Sequence, residues 1–321
     1  GDGDTDGPNI LFIITDQLNA DVLGCYGGPV PTPNIDRLAS RGMRFERATC
    51  PTPVCSPSRG AMATGRYPHA TGIVSNVGKK GGLMPEDTTM FGRFRQAGYD
   101  VPYYGKWHLG QKLPCFTDWR SNYWKGLQEE IKRAQKLPDD ERMDFYGTSL
   151  PVDVSPRLRE QVKKLGDKWE GIRYADFIKS MGRLEAPVED HFDYRIASQA
   201  VERLQGASSD RPFMLTCSMI SPHDPNVVPS PYYENFDPAE IELPSNWKTR
   251  EERFESDWSR RVVADLGEPG LREFLRIYYA QVQLIDDQVG RLMNALEQSG
   301  QAEDTVVVFT ADHGDMAGGH G

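Results

Sequence analysis

The chain has 321 residues, of which 38% are hydrophobic and 26% charged, so it can bury a large core in one or two domains. Its 37 basic and 47 acidic residues give a formal net charge of −10, which argues against the basic face of a nucleic-acid-binding protein. An anionic substrate stays compatible with this charge, because local cations rather than net charge bind it. Mean hydropathy is −0.58, and no apolar run is long enough to span a membrane.

Residues 1–7, Gly-Asp-Gly-Asp-Thr-Asp-Gly, predict a flexible polar leader, followed by one catalytic domain over residues 8–321. The leader has neither the basic stretch nor the apolar stretch of a secretory signal peptide, so no signal peptide is predicted in these seven residues. The five cysteines are an odd number in a chain too large to need disulfide staples, and their pairing stays open.

Four short apolar runs predict strands that are covered on both faces, as in a parallel sheet. In chain order they are Asn9–Thr15, Tyr99–Tyr104, Pro212–Ile220 and Thr305–Ala311. Pro102 interrupts the second run and weakens its strand pattern.

Helical patterns with apolar residues at helical spacing alternate with these strands. They are Pro33–Gly42, Thr88–Ala97, Phe192–Leu204 and Leu271–Gln298. Alternating strands and helices predict an α/β fold, with a central, mostly parallel sheet flanked by helices.

Polar residues of catalytic type follow each predicted strand. They are Asp16 and Gln17, Lys106 and His108, His223, and Asp312 and His313. Sites in open parallel sheets form beyond the carboxyl ends of the strands, so we expect these groups to converge on one site. The alternative for Asp16 is a turn or helix-capping residue, which is common directly after a strand.

The segment Cys-Ser-Pro-Ser-Arg that begins at Cys55 predicts a short helix from about Pro57 to Thr64. Pro57 suits the first turn, Ser56 suits the N-cap, and the glycine after Thr64 suits the end. The positive end of this helix then faces Cys55, and Arg59 adds a fixed cation, an arrangement that suits an anion. A buried structural thiol before an ordinary helix is the alternative.

The same segment closes with Thr64-Gly65-Arg66 and resembles the sulfatase motif, Cys-x-Pro-Ser-Arg followed by Thr-Gly-Arg. The resemblance implies a formylglycine-dependent sulfatase of the alkaline phosphatase superfamily, with that superfamily's sandwich fold. In such proteins a formylglycine-generating maturation enzyme oxidises the cysteine to an aldehyde, whose hydrate attacks sulfate esters. Sulfatase-like proteins continue into a smaller C-terminal subdomain, so we expect this chain to lack that subdomain.

The resemblance also implies a divalent metal site. Its ligands match Asp16, Gln17, Asp312 and His313, together with the formylglycine at Cys55. Many family members have Asp in place of Gln17 and Asn in place of His313, so this site has fewer carboxylates and a nitrogen ligand. Oxygen-rich ligand sets favour Ca²⁺, which we expect here, with Mg²⁺ or Mn²⁺ as alternatives.

By the same resemblance, Lys106 in Gly-Lys-Trp-His-Leu-Gly and His223 in Ser-Pro-His-Asp-Pro bind the sulfate group. His108 orients the hydrate, and His223 also protonates the leaving alcohol. With Cys55 and Arg59, these residues form the expected catalytic set.

Residues 111–190 form a long polar stretch with scattered tryptophan and tyrosine, which predicts an insertion that shapes the substrate pocket. Helices are expected within Leu113–Leu137 and Ser155–Met181. Three further histidines are assigned by position alone: His69 and His320 to the rim of the site, and His191 to the surface.

The sequence therefore predicts a hydrolase that acts on the sulfate ester of a small molecule or carbohydrate. The nearest rival is a phosphonate monoester hydrolase or phosphodiesterase of the same superfamily, which also uses formylglycine. A non-catalytic binding protein with an unconverted Cys55 is the alternative from another class. Family habit favours the periplasm or secretion, and the sequence itself leaves the compartment open.

Overall fold

The computed structural model describes residues 7–77, 81–121, 142–145, 148–154, 181–206, 211–248 and 257–319. The strands of these residues are β1 (Asn9–Asp16), β2 (Tyr103–Gly105), β3 (Trp119–Arg120), β4 (Arg142–Phe145), β5 (Thr148–Val154), β6 (Met181–Leu184), β7 (Met214–Pro222), β8 (Asn226–Pro229) and β9 (Thr305–Ala311). The helices are α1 (Pro33–Arg41), α2 (Cys55–Thr64), α3 (Pro68–Thr71), α4 (Met90–Gln96), α5 (Phe192–Gln205) and α6 (Asp257–Gln298).

Two sheets are formed by these strands. The larger one has the order β3-β2-β7-β1-β9, and all of its neighbouring strands are parallel. The smaller one has the order β4-β5-β6-β8, in which only β6 and β8 are parallel. Because β1 lies between β7 and β9, the first and last strands of the described chain are direct neighbours.

Successive residues of β1 point to opposite faces of the large sheet and enter separate apolar cores. Leu11 and Ile13 belong to the core that the sheet shares with α5 and α6. Phe12 and Ile14 belong to the core on the other face, with residues of α2 and α4 and the aromatic side chains that follow β2. The sheet is therefore covered by helices on both sides, which confirms the predicted fold class.

Most predicted helices agree with the observed ones. Those of α1 and α5 agree to within one residue at either end. The helix α4 begins later than predicted, because the Thr89 hydroxyl caps it by accepting a hydrogen bond from the Gly92 N–H. The helix α6 contains the predicted Leu271–Gln298 but is longer, with a break in helical geometry at Gly267 and Pro269.

The strand predicted over Tyr99–Tyr104 is shorter in the structure. Only Tyr103–Gly105 forms β2, and Asp100 makes an isolated bridge to Phe213. Pro102 has no N–H to donate, so regular pairing begins only after it.

Residues 1–6 of the predicted leader lie outside the described part of the chain. So do most of the residues in which helices were expected, Leu113–Leu137 and Ser155–Met181. The proposed insertion over residues 111–190 therefore stays a prediction. Among the described residues, no helix has both the length and the apolar character needed to cross a membrane.

Candidate active site

The structure brings the polar residues at the strand ends together around Cys55. Asp16 is the last residue of β1, and Asp312 and His313 directly follow the neighbouring strand β9. Cys55 is the first residue of α2, whose first turn points at this edge of the sheet. Its thiol is 4% exposed and has a carboxylate, an ammonium and an imidazole as neighbours.

The Cys55 sulfur is the common point of these contacts. Its Sγ lies 3.3 Å from Nε2 of His313 and 3.6 Å from Oδ1 of Asp16. Nζ of Lys106 lies 3.8 Å away. A group attached to Cβ of residue 55 therefore lies next to both the Asp16 carboxylate and the Lys106 ammonium group.

The helix α2 begins two residues before the predicted start. Val54 is its N-cap and makes no side-chain capping bond, so the prediction that Ser56 caps the helix is wrong. Ser56 lies inside the first turn, where its N–H donates to Oδ1 of Asn76 and its hydroxyl donates to the His108 carbonyl. Ser56 thus joins the Cys55 turn to the segment after β2.

Arg59 holds the two carboxylates of the site in place. Its Nη2 donates to Oδ2 of Asp16 and its Nε donates to Oδ2 of Asp312, both at 2.8 Å. Its Nη1 donates to the Lys106 carbonyl and to Oγ of Ser218, both at 2.9 Å. Burial opposes the charge, but the two carboxylates outweigh it and raise the pKa of Arg59. The guanidinium thus donates to four protein acceptors, and its role is to position the groups that carry them.

Lys106 is fixed through its backbone as well as its ammonium group. Its carbonyl accepts hydrogen bonds from Arg59, from the Ser218 hydroxyl at 2.8 Å and from the Tyr103 hydroxyl at 2.6 Å. Its Nζ lies 2.8 Å from Oδ2 of Asp16. Burial lowers the pKa of Lys106, but the Asp16 charge outweighs burial and raises it, so the side chain is a cation.

His108 lies in a constrained turn behind Lys106. It has a positive φ of 55°, and its buried Nδ1 has no hydrogen-bond partner among the described residues. Burial, then the charges of Lys106 and Arg59, lower the pKa of His108 to about 4. The imidazole is therefore neutral at neutral pH and offers a lone pair or an N–H to a bound molecule.

His223 follows the end of β7 and carries its own acidic partner. Its Nδ1 lies 3.0 Å from Oδ1 of Asp224, and its Nε2 lies 4.0 Å from Oδ1 of Asp16. Burial and Lys106 lower the pKa of His223, but the Cys55 contact and the two carboxylates outweigh them and raise it to about 9. The side chain faces the same space as Lys106.

Four buried side chains near Cys55 have donor atoms arranged for a metal ion. These are Asp16, Cys55, Asp312 and His313, whose candidate atoms all lie within 4.8 Å of one another. Ligand atoms that each lie about 2.0–2.6 Å from one divalent cation can be separated by no more than about twice that distance, and the four atoms here meet this condition. Nδ1 of His313 lies 2.9 Å from the Gly314 carbonyl, and donation to that carbonyl leaves a lone pair on Nε2 for the cation.

The charges of the two carboxylates are compensated to different degrees. Burial raises the pKa of Asp16, but Lys106 and Arg59 outweigh burial and hold it well below its usual value. Burial raises the pKa of Asp312, and the Arg59 charge offsets this only in part. The Asp16 charge raises the pKa of Asp312 further. A bound cation would relieve this repulsion, so the donor set fits a divalent metal ion.

Gln17, the remaining predicted ligand, lies beside this cluster in an unusual backbone conformation with φ 65°. Its N–H donates to Oδ1 of Asp312 at 3.1 Å. Its side-chain Nε2 donates to the carboxylate of Asp315, a residue that the sequence motifs do not single out.

The other sequence assignments have mixed outcomes. His191 is fully buried as the N-cap of α5, so its predicted surface position is wrong. His69 is exposed in the short helix α3 and stacks on Tyr67 with ring centroids 5.9 Å apart. His320 lies outside the described residues, and all five cysteines are free thiols.

Comparisons of the sequence with known proteins find a family and several relatives. The profile of the family described as Sulfatase matches residues 8–321. The "uncharacterized sulfatase YidJ" of Escherichia coli (strain K12) is 32% identical over 98% of this chain and 58% of its own length. The N-acetylglucosamine-6-O-sulfatase of Bacteroides thetaiotaomicron is 25% identical over 99% of this chain and 60% of its own. The chain thus spans about three fifths of the length of these relatives.

Among solved structures, the phosphonate monoester hydrolase of Agrobacterium radiobacter superposes with a TM-score of 0.71 at 22% identity. The match covers 98% of this chain and 64% of that one, and it shows a shared fold. The family profile extends over nearly every residue and includes the Cys55 segment, Asp16 and Asp312. The chain therefore belongs to the sulfatase family.

Proposed function

We propose that the protein hydrolyses sulfate esters, using a formylglycine derived from Cys55 and a bound divalent cation. The observation that carries this proposal is the position of Cys55. It begins α2 in a sulfatase-family motif, with His313, Asp16 and Lys106 within 3.8 Å of its sulfur. A cysteine with a purely structural role needs neither the Asp16 carboxylate nor the Lys106 and His313 side chains beside it.

Maturation changes only the side chain of residue 55. The CH₂SH group and one water become an aldehyde and hydrogen sulfide, and two protons and two electrons pass to an oxidant that the maturation enzyme supplies. The hydrated aldehyde provides one hydroxyl that attacks sulfur and a second whose collapse to the carbonyl releases sulfate. A thiol lacks the second hydroxyl, so it cannot complete this cycle.

The residues around Cys55 supply binding and proton transfer. Lys106 and His223 face the same space and would contact the sulfate oxygens, where negative charge is carried. His223 would give its proton to the ester oxygen as the S–O bond breaks. The neutral imidazole of His108 would hold a hydroxyl of the hydrate through a hydrogen bond. Arg59 keeps both carboxylates and the Lys106 backbone in this geometry.

Asp16, Gln17, Asp312 and His313 would hold the cation together with the group at position 55. The cation would lower the pKa of a hydrate hydroxyl and neutralise charge on the sulfate group. Ca²⁺ is our choice because most of these ligands are oxygen atoms, with Mg²⁺ and Mn²⁺ as the alternatives that the nitrogen of His313 allows.

We propose a carbohydrate sulfate as the substrate class. The relative described as an N-acetylglucosamine-6-O-sulfatase, which matches nearly the whole chain, supports this choice. Phosphonate monoester hydrolysis is the second candidate, which the superposition on a phosphonate monoester hydrolase favours. The ratio of turnover with an aryl sulfate to turnover with an aryl phosphonate decides between them.

The experiment that tests the proposal combines a mass measurement with an assay. Protein made with its maturation enzyme is digested with trypsin, and the peptide Ala48–Arg59 is weighed and fragmented in a mass spectrometer to show which cysteine has lost its sulfur. We expect that position 55 has lost its sulfur and that sulfated sugars and aryl sulfates are hydrolysed. Cys50 in the same peptide is the internal control, because it keeps its thiol. An intact thiol at position 55 in active protein would refute the mechanism, and an intact thiol in inactive protein would support a binding protein.

A further inference from the structure

The carboxamide of Gln17 has two chemically different ends, an oxygen and an NH₂ group. Its oxygen can bind a cation, whereas its NH₂ group is a donor and cannot. The two ends have nearly the same shape, so the surroundings decide which of them faces the metal site. A ligand of this kind therefore needs a partner that accepts the NH₂ group.

The backbone of Gln17 is fixed beside the metal cluster. Its N–H donates to Oδ1 of Asp312, and its carbonyl accepts a hydrogen bond of 2.8 Å from the hydroxyl of Tyr278, which lies on α6. Its positive φ directs the chain sharply away after β1. With both backbone groups engaged, the remaining freedom of the residue lies in its side chain.

Asp315 accepts the NH₂ end of that side chain. Nε2 of Gln17 donates to Oδ2 of Asp315, and an ionised carboxylate only accepts hydrogen bonds. The reverse orientation would place two oxygens against each other and is disfavoured. Contact with Asp315 therefore leaves Oε1 of Gln17 as the uncommitted end.

Asp315 is itself held in position from two directions. Its Oδ1 accepts the Ala317 N–H at 2.6 Å, and its backbone carbonyl accepts Nδ2 of Asn19 at 2.8 Å. The Asn19 N–H in turn donates to the Tyr278 hydroxyl at 2.9 Å. These bonds join the segments after β1 and β9 to α6, so the carboxylate is a fixed acceptor rather than a mobile surface group.

We propose that Asp315 is a positioning residue that orients the Gln17 amide so that its oxygen, and not its nitrogen, binds the divalent cation. This inference rests on the cation of the proposed function but concerns a residue outside its ligand set. Partners of metal ligands typically contribute 10- to 100-fold to affinity. An aspartate at position 17 would need no such partner, because both ends of a carboxylate can bind a cation.

The test measures Ca²⁺ and Mn²⁺ binding calorimetrically on chelator-treated protein, so it does not depend on turnover. The variants are Asp315→Asn, Gln17→Asp and the two combined, with Asp21→Asn as a control that removes an exposed negative charge from the segment after β1. Asp315→Asn accepts either end of the amide, and we expect it to weaken binding about 10- to 100-fold. Asp21→Asn should change affinity less than about threefold.

The combined variant separates orientation from structural support. On a Gln17→Asp background, the Asp315→Asn change should lower cation affinity only by the small amount that losing one nearby negative charge costs, and so by clearly less than on the wild-type background. An equal loss of affinity on both backgrounds, or no loss with Asp315→Asn alone, would overturn the role of Asp315. Wild-type protein that binds neither cation would overturn the inference and the metal site together. Assays of sulfate ester hydrolysis report separately on the proposed function.

Discussion

Arg59 and Asp16 form a buried ion pair, with Nη2 and Oδ2 2.8 Å apart and both side chains less than 5% exposed. The same guanidinium reaches Asp312 at 2.8 Å, so one cation joins the ends of β1 and β9. Removing one partner from a buried pair is costly because it leaves an uncompensated charge in the interior. Arg59 is therefore as important for the stability of the sheet edge as for the site.

Replacing Arg59 with Met should lower the free energy of unfolding by about 3–5 kcal/mol, because Asp312 loses its buried guanidinium partner and Asp16 keeps only Lys106. Urea unfolding followed by circular dichroism measures this. Arg41→Met is the matched control: its ion pair with Glu297 is exposed, so about 0–1 kcal/mol is expected. Similar losses for both variants would contradict the structural role that we assign to Arg59.

Replacing Cys55 with Ala should abolish turnover of sulfate esters and leave the fold intact. The side chain of residue 55 is the only source of the aldehyde, whereas an alanine at this buried position removes only the sulfur atom from the start of α2. The assay is release of an aryl alcohol, with thermal unfolding as the check on folding. Cys50→Ala, an exposed cysteine, should keep full activity. Substantial activity in Cys55→Ala would sink the mechanism.

Removing divalent cations should inactivate the protein and lower its melting temperature. A cation present at 100 times its Kd stabilises the folded state by about 2.7 kcal/mol, which chelation removes. Readdition of Ca²⁺, Mg²⁺ or Mn²⁺ one at a time, followed by calorimetry and assay, identifies the effective ion. Equal melting temperatures and equal activity with and without chelator would contradict the metal site.

Replacing Asp193 with Ala should reduce turnover although Asp193 belongs to α5 and lies away from the sulfur. Its carboxylate accepts the backbone N–H groups of Ile220 at 2.7 Å and Ser221 at 3.0 Å, at the end of β7 just before His223. We expect stability to fall by about 1–3 kcal/mol because these N–H groups lose their partners. We also expect kcat/KM to fall up to about 100-fold, since His223 is displaced.

Steady-state kinetics at several substrate concentrations test this prediction. The loss should appear mainly in kcat if His223 acts as the proton donor. Asp193→Asn retains one acceptor oxygen and should recover part of the activity. A variant that loses stability but keeps wild-type kcat would show that Asp193 supports only the fold.

His191 should make stability depend on pH. Burial lowers the folded-state pKa of His191 below the ordinary value of 6.5 and outweighs the Asp193 carboxylate and the Val227 carbonyl, both of which raise it. The unfolded state therefore binds more protons just below pH 6.5. The contribution to stability is complete above pH 6.5 and is lost as the pH falls from there toward the folded-state pKa.

Urea unfolding at a series of pH values from neutral to acidic checks this expectation. His191→Asn keeps an N-cap acceptor but does not titrate, so its stability should fall less steeply over this interval. Identical pH dependence in both proteins would show that His191 does not contribute.

The elements that sequence periodicity predicts well are those with continuous apolar runs. The strands β1, β7 and β9 and the helices α1 and α5 belong to this group. Their terminal polar residues could be placed at one edge because parallel strands share a direction. The start of α2 was missed, because the cap at Val54 has no side-chain signal.

The supporting residues of the site could not be read from the sequence. Ser218 and Tyr103 act on the carbonyl of Lys106, a backbone atom present in every residue. Asp315 has a role only because Gln17 lies opposite it across two strand ends. No sequence motif indicates that His191 is buried, and only the packed structure shows its partners.

The adjacency of β1 and β9 has a consequence for synthesis of the protein. β1 ends at Asp16 and β9 begins at Thr305, which a ribosome adding about 5–20 residues per second reaches roughly 15 to 60 s later. During that interval β1 is an apolar strand with an open hydrogen-bonding edge, the kind of segment prone to aggregation. The residues that we propose to hold the cation come together only when the last described strand docks beside the first.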